Sequence, residues 1–197
     1  MMVKKIEITH DDIMPMSEYG PIRKDKRREM AAHKKQRRLE LGPFATFYFE
    51  SYETMWHQVH EMLYIEKGGD EQLADELTAY NPLVPKGRNL VCTLMFQIED
   101  ETRRRNALKR LGWIEDMITL SFDGETIKAE PEQDVERTTP EGKTSAVHFL
   151  HFRFTDEQAA KFKNEGTQVI IGTSHENYTH MAVLPEAVRA ELARDLH

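Results

Sequence analysis

The dipeptide Asp123-Gly124 places the strongest constraint on the fold, because it lies between two strand-like segments, MITLSF and ETIKAE. Asp-Gly readily adopts the two positive φ angles of a two-residue β-hairpin turn. A second pair of strand-like segments, 168–173 and 179–184, flanks the turn-rich SHENY. Hairpins join antiparallel strands, whereas parallel strands need long crossovers. The sequence therefore predicts an α+β fold with a mostly antiparallel sheet and helices packed on it.

Other segments predict the remaining elements of this fold. A nearly continuous apolar run over 88–99 predicts a buried strand, and residues 145–154 predict another. Thr155 and Gln158 form a capping box that predicts a helix start. Pro185 favours the start of a closing helix, because proline suits the first helical turn.

The composition is that of one folded domain. The chain has 197 residues, of which 39% are hydrophobic and 31% charged. We expect a single α+β domain over 1–197, with an N-terminal basic helical segment to residue 40 and a main body over 41–197. No apolar run approaches the roughly 18 residues of a membrane span, and the first residues lack the apolar stretch of a secretory signal. We therefore expect a cytoplasmic protein without membrane contact.

The cysteine count excludes several kinds of covalent and metal site. Cys92 is the single cysteine, so the chain alone cannot form a disulfide, a cysteine zinc finger or an all-cysteine iron–sulfur cluster. The sequence also lacks the glycine-rich dinucleotide motif, the Walker P-loop and the GxSxG nucleophile elbow. A metal would have to be held by His, Glu, Asp or Tyr, and nine histidines are available.

Residues 52–66 form the best-specified helix and carry the main candidate site. The apolar residues of this segment form one stripe, and Gly68-Gly69 ends it. A second stripe, about 100° wide, holds imidazole, carboxylate and phenol groups and no Lys or Arg. Iron, zinc and manganese accept such ligands. The pattern predicts a transition-metal site (Fe, Zn or Mn) with Glu53, His57, His60 and Glu61 as ligands and Tyr64 in the pocket; an ordinary solvated helix face is the alternative.

One helix supplies too few ligands, so a second element is needed. His175 and His180 flank the loop of the C-terminal hairpin and are expected to complete the shell, with Tyr178 in the pocket. His148 and His151 are further pocket candidates, although strand alternation puts them on opposite faces. At each of these positions a hydrogen-bonded structural histidine is the alternative.

The segment from Arg23 to Arg38 is strongly basic. It holds nine Lys/Arg and two acidic residues, a net charge of +7 that leaves −14 for the rest of the chain. Proline at 21 and the following helix formers predict a helix over 21–39. A solvated helix is the ordinary interpretation. The functional alternative is a helix that docks an acidic protein, with Arg27, Arg28, Arg37 and Arg38 as partner-binding residues. Nucleic acid is disfavoured, because no aromatic residue lies within the run.

Five long segments carry a family resemblance: GPFATFYFE, MWHQVHEMLYIEKGG, AYNPLVPKGR, VHFLHF and HENYTHMAVLPE. Together they resemble a family of bacterial proteins defined only as a domain of unknown function, whose genes often lie near those for rubrerythrin and an iron–sulfur oxidoreductase. The resemblance covers nearly the whole chain. It implies a cytoplasmic setting of peroxide reduction and non-haem iron, with rubrerythrin or the oxidoreductase as partner. It carries no assigned reaction, so it leaves open whether the chain is an enzyme.

These observations lead to three functional expectations. The first is an accessory protein of a rubrerythrin-type redox and peroxide-response system that binds a transition metal through the 52–66 helix. The second is a non-catalytic interaction module that docks an acidic partner through its basic helix. The third is haem binding through His57 or His60, which is less favoured because methionine stripes on helices usually belong to the core.

Overall fold

Two antiparallel sheets form the centre of the computed structural model, which describes residues 5–133 and 136–197. The strands are β1 (Arg38–Leu41), β2 (Ala45–Phe49), β3 (Asn89–Phe96), β4 (Ile118–Phe122), β5 (Glu125–Lys128), β6 (Glu130–Pro131), β7 (Val147–Arg153), β8 (Val169–Thr173) and β9 (His180–Val183). The strand order is β1-β2-β3-β7-β6 in the first sheet and β5-β4-β8-β9 in the second. The predicted α+β class with antiparallel pairing is confirmed.

In residues 5–133 and 136–197, six α-helices surround these sheets. They are α1 (Met16–Lys35), α2 (Tyr52–Glu66), α3 (Gly69–Tyr80), α4 (Glu101–Leu108), α5 (Asp156–Lys163) and α6 (Glu186–Ala193), with short 3₁₀ turns at His10–Asp12, Asn81–Leu83 and Ile114–Met117. The bounds of α2 are those predicted. The capping box of Thr155 and Gln158 also forms at the start of α5. Among the described residues, no helix has both the length and the apolar surface required to traverse a lipid bilayer.

The Asp123-Gly124 turn joins β4 to β5 as the sequence predicts. Asp123 has φ 44° and Gly124 has φ 75°, the two positive values that this turn needs. The flanking residues Phe122 and Glu125 pair directly across the hairpin. The local turn chemistry therefore fixes the register of these two strands.

The first helix differs from its prediction at both ends. It begins at Met16 rather than Pro21, directly after Pro15, and it ends at Lys35. Pro21 lies inside the helix, in its second turn. The predicted last turn of the helix instead enters β1, where Arg38 pairs with Tyr48 of β2. Strand pairing, a non-local interaction, overrides the helix propensity of this segment.

Two apolar clusters form the core. The larger joins both sheets and includes Phe47, Leu120, Phe152 and Ile171, all fully buried. The smaller lies under the apolar stripe of α2 and includes Met55, Val59, Leu63, Leu73 and Val91. Tyr19 is the one buried residue of α1. Helix α1 is therefore a surface helix that rests on the polar face of α2.

Candidate functional site

The candidate site lies where α1 packs on the polar face of α2. Gly20 lies beside Tyr64 near one end of this contact, and a Cβ atom at position 20 would be 3.1 Å from Tyr64 Cε2. At the other end, His33 Nε2 lies 3.0 Å from Ser51 Oγ. The two helices are therefore antiparallel. The missing side chain of Gly20 allows their close approach.

Glu61 is the centre of this contact. Arg23 donates two hydrogen bonds to it, from Nε to Oε1 at 2.9 Å and from Nη2 to Oε2 at 2.8 Å. The Tyr19 hydroxyl donates a third to Oε1 at 2.8 Å. Burial favours a higher pKa for Glu61, but the bonds from Arg23 and Tyr19 outweigh it and hold that pKa below its ordinary value. Glu61 is thus a fixed carboxylate whose oxygens are committed to α1.

His57 continues the same network. Its Nδ1 lies 3.2 Å from the Tyr19 hydroxyl oxygen. The Tyr19 hydroxyl donates its one hydrogen bond to Glu61, so towards His57 its oxygen can only accept. The tautomer of His57 that fits this network therefore has its proton on Nδ1 and donates it in a hydrogen bond to Tyr19. In the described part of the chain nothing hydrogen-bonds to His57 Nε2. Burial lowers the pKa of His57, so its ring is neutral at pH 7.

His60 is fully buried and has no nitrogen available for a metal. Its Nδ1 lies 2.8 Å from the Trp56 carbonyl oxygen, to which it donates, and its Nε2 accepts a hydrogen bond from the Met14 amide at 3.2 Å. Burial lowers the pKa of His60. Glu53 is exposed at the surface. Of the four ligands predicted on this helix, His57 alone combines a buried position with an uncommitted donor atom.

His175, predicted to complete the shell, lies in a different contact. Its Nε2 lies 3.1 Å from the Gly112 carbonyl oxygen, and its Nδ1 accepts from the Asn177 amide at 3.2 Å. Both partners lie outside α1 and α2. The side chain joins the β8–β9 connection to the turn after α4, which is a structural role.

Tyr178 and His180 also hold the C-terminal hairpin in place. The Tyr178 hydroxyl donates to the Leu41 carbonyl at 2.6 Å. The His180 ring packs on Tyr178 with centroids 4.4 Å apart. Gly42 makes this approach feasible: its φ is +65°, and a Cβ there would lie 2.6 Å from the His180 ring. These residues fasten the hairpin to the β1–β2 turn and do not contribute to the α1–α2 site.

The two histidines of β7 point to opposite sides of the sheet, as their spacing predicts. His148 is fully buried, with Nε2 3.0 Å from the Ser145 carbonyl oxygen and Nδ1 3.7 Å from Glu115 Oε2. His151 Nε2 lies 2.5 Å from Glu132 Oε1. Neither partner belongs to α2. The two rings therefore occupy separate polar contacts rather than the predicted pocket.

The structure does not assemble the predicted metal shell. Across residues 5–133 and 136–197, no group of three or more His, Cys, Asp or Glu side chains is arranged to hold a metal ion. The predicted ligands are divided between the α1–α2 contact and the C-terminal hairpin. Helical spacing placed His57 and Glu61 on one face correctly, but it could not show that Arg23 and Tyr19 occupy the carboxylate. Metal binding itself stays a prediction.

Arg37, one of the residues predicted to bind a partner, is buried. Its side chain is 1% exposed. Nη2 binds the Asp195 carboxylate and donates to the Glu50 carbonyl at 3.0 Å, and Nη1 lies 3.3 Å from Glu191 Oε1. The Arg37 guanidinium therefore takes part in a buried network that joins the β1–β2 hairpin to residues near the C-terminus. These acidic partners are more than 150 residues away in sequence, so the basic run gave no sign of them.

The other predicted docking residues are at the surface. The side chains of Arg27, Arg28 and Arg38 are 62%, 76% and 46% exposed. Arg27 and Arg28 line a recess of about 450 Å³ on the outer side of the α1–α2 contact, together with Gly20, Arg23, Lys24 and Tyr64. Within the described part of the chain, no carboxylate lines this basic recess.

Four residues of this site were missed in the sequence analysis: Tyr19, Gly20, Arg23 and Lys24. The spacing of 20, 23, 24, 27 and 28 is that of one helix face. With the helix predicted to start at Pro21, Tyr19 and Gly20 fell outside it. A helix started after Pro15 would have shown the whole face.

Comparisons with known proteins place the chain in a family without giving it a function. Residues 7–196 match the family model described as a protein of unknown function, DUF3501. The crystal structure of a novel protein of unknown function from Burkholderia pseudomallei is similar, with 41% identity and a TM-score of 0.89 over 96% of this chain and 99% of that one. No curated protein matches. With nearly its whole length matched, the chain belongs to the DUF3501 family of proteins of unknown function.

Proposed function

We propose that this protein is an interaction module that docks an acidic protein partner through the basic recess and the exposed cations of α1. The recess itself is the observation that supports the proposal. Among the described residues, its lining holds four cationic side chains on one helix face and no carboxylate, and Glu61 lies beside it, paired with Arg23. A solvated helix typically mixes both charges on each face, so this segregation favours a binding surface.

Internal ion pairs leave much of this charge available. Glu61 neutralises Arg23, and its Oε2 is 4.0 Å from Arg27 Nε. Arg28 forms an exposed pair with Asp25 at 3.0 Å. Such exposed pairs are weak and are readily exchanged for a partner's carboxylates. The rest of the chain outside the basic run carries −14, so the molecule has a strong charge asymmetry.

Charge complementarity of this kind mainly speeds encounter and makes binding sensitive to salt. The family resemblance suggests the first partners to test, which are a rubrerythrin and an iron–sulfur oxidoreductase. In this proposal the protein is an accessory of that redox system, and its own contribution is recognition rather than a reaction.

The test compares two sets of three charge reversals. The first set is Lys24→Glu, Arg27→Glu and Arg28→Glu in the basic recess. The matched set is Arg103→Glu, Arg105→Glu and Lys109→Glu on and after α4, which makes the same net change at another exposed site. Each protein is immobilised, and capture of the two purified partners is measured at about 50 mM and about 300 mM salt, where screening differs strongly.

We expect the wild type and the α4 set to capture a partner at low salt and to lose it at high salt. The recess set should capture none at either salt, whereas His57→Ala should bind like the wild type. Capture by the recess set, or loss of capture in His57→Ala, would reject the docking proposal.

A further inference from the structure

We propose that the basic recess binds a single phosphate monoester group. This inference rests on the proposed function and deepens it, because it names the group of the partner that the recess would receive.

The shape of the recess favours a compact anion. Its cations come from successive turns of α1 and surround one concave space whose wall is Tyr64. One phosphate group carries close to two negative charges and three acceptor oxygens on a single atom, so it can meet several of these cations at once. Charge-assisted bonds to phosphate are also among the stronger hydrogen bonds in proteins.

Glu61 organises the recess without filling it. It holds Arg23 through Nε and Nη2, so Nη1 stays outside that pair. The Arg23 guanidinium also lies over the Tyr64 ring, with Cζ 4.7 Å from the centroid, which fixes it from a second side. A cation held in advance loses less entropy when it meets its anion. Lys24, Arg27 and Arg28 then supply further donors.

The volume of the recess accommodates an esterified phosphate as well as the free ion. The recess holds about 450 Å³, more than a phosphate group alone requires. Gly20 keeps it open, because it contributes no side chain. A phosphorylated side chain would place its phosphate among the cations and its first carbon atoms against Tyr64.

Three probes distinguish a free phosphate ion from a phosphorylated side chain. Isothermal titration calorimetry of the full-length protein near pH 7 uses inorganic phosphate, a capped phosphoserine peptide and the same peptide without phosphate. We expect the phosphopeptide to bind most tightly, inorganic phosphate at least about threefold more weakly, and the plain peptide not at all. Equal binding of both peptides, or binding of inorganic phosphate alone, would overturn the inference.

A matched pair of double variants tests the position of the site. Lys24→Gln with Arg27→Gln removes two recess cations, and Lys26→Gln with Lys35→Gln removes the same charge from α1 outside the recess lining. Lys24, Arg27 and Lys35 are exposed and Lys26 is partly exposed, so both variants should fold. Loss of one charge-assisted bond costs about a factor of ten, so the recess variant should bind the phosphopeptide at least about tenfold more weakly. The matched variant should bind within about twofold of the wild type.

The outcomes separate this inference from the docking proposal. Equal losses in the two double variants would mean that only net charge matters, and the phosphate site would be rejected even if partner capture succeeded. Phosphopeptide binding that depends on the recess would support the site even if rubrerythrin and the oxidoreductase were not captured.

Discussion

What separates the histidines of this protein is the number of ring nitrogens that are already in use. His60 and His175 each have both nitrogens in hydrogen bonds to the backbone. His57 has one nitrogen bonded to Tyr19 and the other uncommitted. A metal needs a lone pair, so the count of available nitrogens limits which histidine can be a ligand. Sequence spacing does not contain this information.

The metal hypothesis can be tested on this basis. The test is the metal content of protein purified without a histidine tag, incubated with Fe²⁺, Zn²⁺ or Mn²⁺ and desalted. Structural sites bind near-stoichiometrically, so retention of less than about a tenth of an equivalent would count against the predicted site. Elemental analysis by mass spectrometry measures the content. Near-stoichiometric uptake that disappears in His57→Ala but persists in His175→Ala would show that α2 forms a metal site after all.

Among the elements, α2 was predictable and α1 only in part. The 3.6-residue period, the capping serine at 51 and the glycines after 67 define α2 locally, and its bounds were confirmed. For α1, either Pro15 or Pro21 could mark the first turn of the helix. Pro15 is the real one, because the turn before Tyr19 is stabilised by the contacts of that residue with α2. Those contacts are tertiary, so no local signal in the sequence could favour Pro15 over Pro21 as the start of the helix.

Helix α6 and the β1–β2 hairpin are joined by Arg37, which yields a stability prediction. Arg37→Ala removes the cation that binds the Asp195 carboxylate and one of the two cations beside Glu191, which keeps its contact with Arg194. Breaking a buried pair from one side costs about 3–5 kcal/mol, so the free energy of unfolding should fall by that amount. Urea denaturation near pH 7, followed by circular dichroism, measures it.

The neighbouring Arg38 provides the control, because its side chain is 46% exposed and its Nη2 is 3.9 Å from Glu40 Oε1, a loose contact. Arg38→Ala should change the free energy of unfolding by no more than about 0.5 kcal/mol. Similar losses in the two variants would show that the Arg37 network contributes no more than an exposed ion pair does.

For the whole molecule, antiparallel pairing followed from local turns, but the division into two sheets did not. The β4–β5 turn and the β8–β9 loop each indicate a hairpin from neighbouring residues. The pairing of β4 with β8, and of β3 with β7, joins segments about 50 residues apart. No turn specifies such pairings, and the apolar faces decide them only when the core assembles. The strand order was therefore beyond reach of the sequence.

Buried histidines should also make the whole molecule sensitive to mild acid. Burial lowers the pKa of His33, His57, His60 and His148 in the folded state. In the unfolded chain these groups bind protons below about pH 6.5. Their neutral folded forms therefore contribute stability that is fully present above about pH 6.5 and is lost as the pH falls through the lowered folded values. Each group contributes at most about 1.4 kcal/mol per pH unit.

Urea denaturation at about pH 7, 6 and 5 should show a free energy of unfolding that falls at each step. This window lies above the range in which the lowered pKa of Glu61 acts, since that carboxylate loses its contribution only as the pH falls below about 4.3. His57→Gln and His60→Gln should each flatten the profile between pH 7 and 5, because neither glutamine can take up a proton when the chain unfolds. If the wild type were equally stable at pH 7 and pH 5, these rings would have to accept protons in place, and the neutral hydrogen-bonded network between α1 and α2 would be wrongly assigned.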